Sequence, residues 1–293
     1  MRRTEYAIVG GGLVGMAIAW GLQRQGRQVT VFDEGDIAFR AARGNFGLIW
    51  VQGKGVGMPD YARWTRLSAS LWPGFASELE DATGVALQLS KPGGLDFCLT
   101  ERELDDSAVA LQGLREALGG DYPFERLDAD EVRKMVPAAS GDFAGAIFGP
   151  EDRHCSPLYL LRALAQAFVA GGGHIENGAA IRAIRSGTGG FTLANGGQWR
   201  AERVVLCAGL GNAALAPMVG LDAPVRPNRG QLLITERVAP FLEFPSVHVR
   251  QTGDGTLQIG ASQEDVGFDD GTVPQVIGQI AGRAARIFPM LEN

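Results

Sequence analysis

The stretch AIVGGGLVGMAIA, residues 7–19, decides the fold of this chain. A short apolar run ends in three glycines, and apolar residues then recur at the spacing of one helix face. The segment QVTVF at 28–32 predicts a second strand, which ends at Asp33. The order is therefore strand, turn, helix, strand, with the spacing G-x-G-x-x-G at the first turn.

Each glycine of this turn has a physical task. Gly10 makes the tight turn, Gly12 lets the backbone approach a pyrophosphate, and Gly15 lets the helix pack closely on the strand. The helix that begins at Leu13 and Val14 presents unpaired N–H groups to the phosphates. The alternative is a glycine-rich turn that serves packing alone.

An acidic residue stands at the end of the second strand, where a carboxylate accepts hydrogen bonds from ribose hydroxyls. Asp33 is the expected residue and Glu34 is the near alternative. A carboxylate repels a 2′-phosphate, which disfavours NADP. The segment therefore predicts a dinucleotide cofactor.

Composition excludes several classes of partner. The 293 residues carry a net charge of −6, which argues against nucleic acid or an anionic membrane as a partner. The 42 glycines are roughly double the usual share of about 7% and indicate tight turns and close backbone approach.

Cysteine and histidine usage argues for a cytoplasmic protein without a metal. Three separated cysteines predict reduced thiols in a reducing compartment, and three unclustered histidines make a metal site unexpected. No apolar run is long enough for a membrane span. Glycines in the middle of the N-terminal apolar run argue against a signal peptide.

The parallel pattern does not continue after Asp33, as it would in a plain NAD enzyme. Residues 34–60 are irregular, residues 60–80 predict a helix that Pro73 interrupts, and 85–90 is strand-like. A helix and strand pattern resumes only at 156–173. We expect an α/β fold, in which a Rossmann-like nucleotide-binding domain is split by an inserted antiparallel-sheet (α+β) domain.

These residues resemble the FAD-dependent D-amino acid oxidase superfamily, in the branch of glycine oxidase, sarcosine oxidase and D-amino acid dehydrogenase. The resemblance runs from residue 4 to the last residue. It rests on six patches in the same order: AIVGGGLVGMAIA with VTVFDEG, RGNFGLIW, EDRHCSPLYLLRALAQAF with GAAIRAI, VVLCAGLGN, RPNRGQLLIT and LQIGASQEDVGFD.

A finer resemblance rests on GNFGLIWVQGKG, residues 44–55, and the YARWTRLSASLWPGF segment that follows. Both look most like the flavoprotein subunits of opine oxidases and D-hydroxyproline dehydrogenases. Those enzymes work on secondary amines in heteromeric complexes. The resemblance therefore implies heteromeric partner subunits for electron transfer.

The resemblance implies FAD as the cofactor and a discontinuous domain arrangement. The FAD-binding domain is expected at 1–84 and 140–222, and the substrate domain at 85–139 and 223–293. Besides the glycine turn and the acid, the family pattern implies that the cofactor contacts Arg43, Gly44, Asn45, Gly47, Leu48, Ile181, Ala208 and Gly209.

The implied reaction is hydride transfer from the carbon next to an amine nitrogen to flavin N5, which gives an imine that water hydrolyses. The substrate is an amino acid or secondary amine, such as a D-amino acid, D-hydroxyproline or an opine. A peroxide-forming oxidase and a non-catalytic FAD-binding subunit remain alternatives, and an NAD dehydrogenase is a more distant one.

Substrate-side candidates are His248, Arg250 and Lys54. Alternation along HVRQTGDGTLQIG places His248 and Arg250 on the same face of a strand, and an arginine suits a carboxylate substrate. The alternatives are an exposed edge strand for the first two and a solvated lysine for the third. The chain ends at IFPMLEN, where the family normally continues, so we expect a C-terminally truncated copy.

Overall fold

The computed structural model describes residues 1–35, 41–194 and 198–292 of the chain. The strands within these ranges are β1 (Arg2–Val9), β2 (Val29–Asp33), β3 (Leu48–Ile49), β4 (Gly94–Cys98), β5 (Glu125–Asp128), β6 (Gly145–Gly149), β7 (Arg153–His154), β8 (His174–Asn177), β9 (Ala183–Gly187), β10 (Gly190–Ala194), β11 (Gln198–Leu206), β12 (Leu232–Arg237), β13 (Val249–Gln251) and β14 (Thr256–Gly260). The helices are α1 (Leu13–Arg24), α2 (Pro59–Thr83), α3 (Glu101–Ala117), α4 (Ala129–Met135), α5 (Pro157–Ala170), α6 (Asn212–Leu215) and α7 (Pro274–Ile287).

Two compact units divide the chain. The first unit comprises Met1–Asn45, Glu78–Leu87 and Pro157–Pro227, and the second unit comprises Phe46–Ser77, Gln88–Ser156 and Asn228–Asn293. These boundaries differ from the expected domains, because 46–77 and 140–156 group with the second unit rather than the first. The expected domain limits therefore stay a prediction.

The first unit is built on a six-stranded mixed sheet in the order β8-β2-β1-β11-β10-β9. The first four strands of that order run parallel, and β10 and β9 are antiparallel. The predicted strand–turn–helix–strand order is confirmed, with β1, α1 and β2 at the expected places. The carboxyl ends of β2, β1 and β11 are neighbours, which is the edge where doubly wound sheets bind ligands.

Apolar side chains hold this sheet together. Ala7 and Val9 of β1, Phe32 of β2 and Leu193 of β10 are all buried in one cluster. The helix α1 buries Gly15, Met16, Ala19 and Trp20, which share one face at helical spacing. Such burial contributes about 1.5–3 kcal/mol for each large apolar side chain.

The second unit contains antiparallel sheets, in the orders β12-β14-β13, β4-β6-β5 and β3-β7. The hairpin β13–β14 turns at Gly255, whose φ of +89° lies in the left-handed region. Its core joins Leu95 and Phe97 of β4 to Val249 of β13 and Phe288 after α7. The predicted antiparallel architecture of the inserted region agrees with these sheets.

Local signals set several helix ends. Asp128 accepts a hydrogen bond from the Glu131 N–H, and the Glu131 carboxylate accepts one from the Asp128 N–H, so α4 begins with a capping box. Pro157 occupies the first position of α5, where its missing N–H costs no helical bond.

Two local expectations were wrong. The helix α2 continues through Pro73, because the proline removes only one of the many hydrogen bonds in a long helix. Residues 85–90 form no strand. Their backbone donors find other acceptors instead: the Leu87 N–H donates to the Glu80 carboxylate and the Ser90 N–H to the His154 carbonyl.

Candidate functional site

The glycine turn of the first unit admits no side chain at two of its positions. Gly10 has a φ of +110°, and a Cβ there would lie 2.3 Å from the Cys207 carbonyl oxygen. A Cβ at Gly15 would lie 1.9 Å from the carbonyl oxygen of Gly10. Both glycines are therefore required by the fold itself, because nearby backbone occupies the space.

Gly12 differs from these two glycines. Among the described residues, a Cβ built on it would meet only the Ala42 Cβ, at 3.7 Å, which is an ordinary contact. The described packing therefore does not require a glycine here, which is compatible with the expected approach of a pyrophosphate to the backbone.

The N-terminus of α1 is suited to an anion. Gly12 is the cap residue and supplies no side-chain hydrogen bond, and the first turn contains no acidic residue. The Val14 side chain is 66% exposed in that turn. The first N–H groups and the positive end of the helix dipole thus remain available to phosphate.

Asp33, at the end of β2, forms a hydrogen bond with the glycine turn. Its Oδ2 accepts a hydrogen bond from the Gly11 N–H at 2.7 Å, and its Oδ1 accepts one from the Gly35 N–H at 3.0 Å. Glu34 is exposed. The structure thus brings Asp33, rather than its neighbour, to the turn.

The other expected cofactor residues of the first unit differ in their surroundings. Ala208 follows β11, and its N–H donates to the Asn212 side chain at 3.1 Å. Gly209 begins a short 3-10 helix, and Ile181 packs in the apolar cluster of the sheet. Arg43, Gly44 and Asn45 lie in an exposed segment.

In the second unit, the expected loop residues lie on a short ladder. The Gly47 carbonyl accepts a hydrogen bond from the Cys155 N–H at 2.9 Å, and Leu48 pairs with His154 across β3 and β7. Lys54 is exposed in a glycine-rich turn. Trp50 packs over Gly94, where an added Cβ would lie 2.7 Å from the indole ring.

A buried carboxylate, Asp152, holds the segment that follows this ladder. It accepts hydrogen bonds from the N–H groups of Val51 and Gln52, at 2.5 and 3.0 Å, and from the Gln52 amide at 3.0 Å. Burial raises the pKa of Asp152 to about 6, although the Gln52 and Val51 hydrogen bonds oppose that rise.

Tyr122 also forms hydrogen bonds with this segment. Its hydroxyl donates to the Val51 carbonyl at 2.8 Å and accepts from the Gly53 N–H at 3.1 Å. Burial raises the pKa of Tyr122 to about 12, so the hydroxyl keeps its proton at neutral pH. Residues 51–53 are thus fixed by side chains from two distant parts of the sequence.

Arg250 lies in the interior of the second unit. Its Nη1 donates to His154 Nδ1 at 3.0 Å and to the Cys155 carbonyl at 3.2 Å, and its Nη2 donates to Gln258 Oε1 at 2.8 Å. Burial lowers the pKa of Arg250 to about 10, so it remains a cation at neutral pH. Burial, followed by the Arg250 charge, lowers the pKa of His154 to about 4.

His248 has different neighbours from Arg250. Ser246 and Val249 close a turn by a 2.9 Å hydrogen bond, and β13 begins only at Val249. The strand alternation that we expected to align His248 with Arg250 therefore does not extend to His248.

A surface cavity of about 510 Å³ is lined by His248 together with Asp96, Glu103, Ser107 and Arg283. Burial raises the pKa of Asp96 to about 6. Burial and the nearby Arg283 charge lower the pKa of His248 to about 4, so its imidazole is neutral.

Sequence reasoning did not single out Asp152, Tyr122 or His154. Asp152 and His154 stand in EDRHC, a stretch that carries the family resemblance without a role for either residue. An acid and a histidine two residues apart, before a helix that starts with proline, were the available signal. Tyr122 gave none, because a single tyrosine in a loop has no pattern.

The cysteines and the possible metal ligands of the described residues form no disulfide and no metal cluster. Cys98 and Cys155 are buried and Cys207 is half-buried, and all three, which lie in the described part of the chain, are free thiols. No group of three or more histidines, cysteines or acids is placed to hold a metal ion within residues 1–35, 41–194 and 198–292. Over the same ranges, the chain has no helix with the length and apolar character needed to cross a membrane.

Known proteins match this arrangement over the whole chain. Residues 5–293 match the DAO family, described as FAD dependent oxidoreductase. A protein of Agrobacterium tumefaciens (strain Ach5) that is named as one of the opine oxidase subunits is 37% identical over 295 residues, which cover 100% of this chain and 80% of that protein. The protein of the same name from Rhizobium meliloti is also 37% identical, with the same coverage.

A solved structure agrees with the fold. The crystal structure of glycine oxidase from Geobacillus kaustophilus superposes with a TM-score of 0.90 at 29% identity, covering 100% of this chain and 80% of that chain. Together with the glycine turn, Asp33 and the split α/β architecture, these matches establish the family. The chain belongs to the DAO family of FAD-dependent oxidoreductases.

Proposed function

We propose that this protein is an FAD-dependent oxidoreductase that oxidises the C–N bond of an amino acid or a secondary amine. The observation that carries the proposal is the glycine turn with its acid: Gly10 and Gly15 admit no side chain, and the Asp33 carboxylate bonds the Gly11 N–H at 2.7 Å. The amine substrate is supported by the similarity to the opine oxidase protein and to glycine oxidase.

The residues of the first unit fit the nucleotide part of FAD. The α1 N-terminus, with no acid in its first turn, suits the pyrophosphate, and a Cβ at Gly12 would make only an ordinary contact, with Ala42, among the described residues. Asp33 suits the ribose hydroxyls, and the chain after β11, at Ala208 and Gly209, borders the same strand ends.

Bound FAD would supply the hydride acceptor for oxidation at the carbon next to the amine nitrogen, and water would hydrolyse the resulting imine. The second unit, in this proposal, holds the substrate. Asp152 and Tyr122 keep the segment at Val51–Gly53 in one conformation through five hydrogen bonds. A segment fixed in this way positions a substrate more accurately than a free loop.

Among the expected substrate-side residues, His248 is better suited to form a hydrogen bond as a neutral imidazole than to act as a general base. A group with a pKa of about 4 holds almost no proton at neutral pH, so it is a weak base for a protonated amine. We assign it a neutral contact with the substrate. Lys54, in an exposed turn, is retained as a candidate on its sequence position alone.

The finer substrate is a D-amino acid, D-hydroxyproline or an opine, and the similarity to the opine oxidase protein favours the last. That relative is named as part of an enzyme with more than one kind of chain, which supports partner proteins that accept the electrons instead of dioxygen. The three free thiols support a cytoplasmic location.

The test is an anaerobic titration of the FAD-loaded protein with D-alanine, D-hydroxyproline and an opine. We expect at least one of them to remove the visible absorption band of oxidised flavin. If FAD is bound and no compound bleaches it, the catalytic proposal fails and a non-catalytic FAD-binding protein is the better description. Peroxide formed on admission of air would instead identify an oxidase.

A further inference from the structure

The helix α2 buries its small side chains and exposes large apolar ones. Its buried positions in the second unit are Ala62, Ala69 and Ala76, which recur every seven residues and therefore lie on one face. This inner face is tightly packed, since a Cβ built at Gly55 would lie 2.5 Å from the Ala62 nitrogen. The helix therefore contacts its unit mainly through small side chains.

A row of apolar side chains lies on another face of α2. Tyr61, Trp64, Leu67 and Leu71 follow one another at intervals of three or four residues, which is the spacing of one helix face. All four are exposed, Trp64 to 66% and Leu71 to 61%. We call these four side chains the α2 stripe. A helix of a globular protein normally turns such a row toward a core, whereas this row faces outward.

The surroundings of the α2 stripe have little net charge. The sequence contains no charged residue from Leu67 to Ser77. At the N-terminal end of the helix, Asp60 and Arg63 form an ion pair at 2.7 Å and so neutralise each other. A surface of this kind neither attracts phosphate groups nor repels its own copy. The occupant that fits it is therefore another apolar protein surface.

The area of this face agrees with that of a protein interface. The α2 stripe exposes about 450 Å² of side chain, in the range of the largest patch on a typical monomer, which is often functional. Met58, Asp60 and Ser68 beside it are also exposed and bring the face close to about 800 Å², which each partner buries in a standard interface. A second copy supplies an equal apolar area, because a two-fold interface uses the same surface twice.

The order of side chains along the α2 stripe suits an antiparallel pairing with itself. Tyr61 and Trp64, whose rings lie 6.2 Å apart edge to face, form the first half, and Leu71 lies in the second half. With a two-fold axis between Leu67 and Ser68, Trp64 of one copy packs against Leu71 of the other, and the two Leu67 side chains meet at the axis. The two helix dipoles then run in opposite directions, which is favourable.

We propose that the α2 stripe is the docking surface for a second copy of this chain, which pairs with it about a two-fold axis between Leu67 and Ser68. Association removes the exposed apolar side chains of both copies from water, which is its driving force. The proposal goes beyond the oxidation of an amine, since the stripe contains none of the candidate substrate residues. Dimerisation and catalysis can therefore fail separately.

Sedimentation of the FAD-loaded protein over a concentration series tests the proposal. We expect the native protein to form a dimer, and both L67E and L67K to weaken that dimer at least about 100-fold, because like charges then meet at the axis. An equimolar mixture of L67E and L67K should restore dimers to within about 10-fold of the native affinity, because opposite charges then meet. Only a face that pairs with itself gives this rescue.

A matched control is V109E, which places the same charge at an apolar residue of α3 that is 73% exposed and lies outside the stripe. It should dimerise within about 2-fold of the native protein. L71S adds no charge and is expected to weaken the dimer about 10-fold, which keeps the test open if a charged variant does not fold. The proposal is overturned if folded L67E or L71S dimerises as the native protein does, if V109E dissociates as fully as L67E, or if the mixture stays monomeric. A monomeric native protein also overturns it and would leave the stripe to a different protein.

Discussion

The glycine turn of the first unit and the Arg250 cluster of the second unit are held together in two different ways. The turn consists of six consecutive residues, and its shape follows from the absence of a Cβ at Gly10 and Gly15. The cluster joins Arg250 to His154 and Gln258, residues far apart in the sequence. Local steric requirements leave a sequence pattern, whereas hydrogen bonds between distant segments leave none.

The largest expected effect lies in the turn. In G15A the new Cβ would lie 1.9 Å from the Gly10 carbonyl oxygen, so the turn and α1 must separate. We expect FAD affinity to fall at least about 100-fold, close to 3 kcal/mol, in a fluorescence titration of the apoprotein.

The control for this prediction is G21A, in the same helix. Within the described part of the chain, no atom lies within 4 Å of a Cβ built at Gly21, and alanine favours a helix over glycine by up to about 1 kcal/mol. G21A should bind FAD within about 2-fold of the native protein. Native affinity in folded G15A would show that the turn tolerates a side chain.

The next effect concerns the segment that Asp152 holds. In D152A three donors lose a buried acceptor, and we expect the free energy of unfolding to drop by about 2–4 kcal/mol in urea. D142A is the control, since Asp142 forms an exposed pair with Arg286 and should change stability by less than about 1 kcal/mol. Equal losses in the two variants would show that Asp152 contributes no more than a surface carboxylate.

A smaller effect separates Asp33 from Glu34. The amide of D33N cannot supply a charged acceptor to ribose hydroxyls, and we expect FAD to bind about 10-fold more weakly. E34Q should bind FAD as the native protein does, because Glu34 is exposed. The reverse result would move the ribose contact to Glu34, the alternative that the sequence leaves open.

The smallest effect is a pH dependence of stability. The pKa of His154 is about 4 in the folded protein and about 6.5 in an unfolded chain, so its stabilising contribution is present above pH 6.5 and is lost as the pH falls. Between pH 7 and 5.5 the native protein should lose about 1 kcal/mol more unfolding free energy than H154N, measured by urea denaturation. Parallel curves would mean that His154 is not held neutral by the fold.

Much of the nucleotide site could be predicted from the sequence. The turn at Gly10 to Gly15, the strands around it and Asp33 all follow from rules that act over a few residues, and the structure places them together. The match across six ordered patches also predicted the family and its cofactor. The expected interruption of the helix at Pro73 was wrong, because a proline removes only one of the many hydrogen bonds of a long helix.

The surroundings of the candidate substrate residues could be predicted only in part. Arg250 was named as a candidate, but its partner His154 was not, and the turn at Ser246–Val249 broke the alternation that linked Arg250 to His248. Asp152 and Tyr122 hold the same three-residue segment although they are separated in the chain. Contacts between residues so far apart in the chain leave no periodic pattern in the sequence.

The sequence by itself thus determined the α/β nucleotide-binding unit, the cofactor and the family, because steric limits on glycine and the spacing of apolar residues act locally. Only the tertiary structure decided which buried charges are compensated. Arg229 meets Glu264 and Arg250 meets neutral groups, and that difference depends on segments brought together by the folded core.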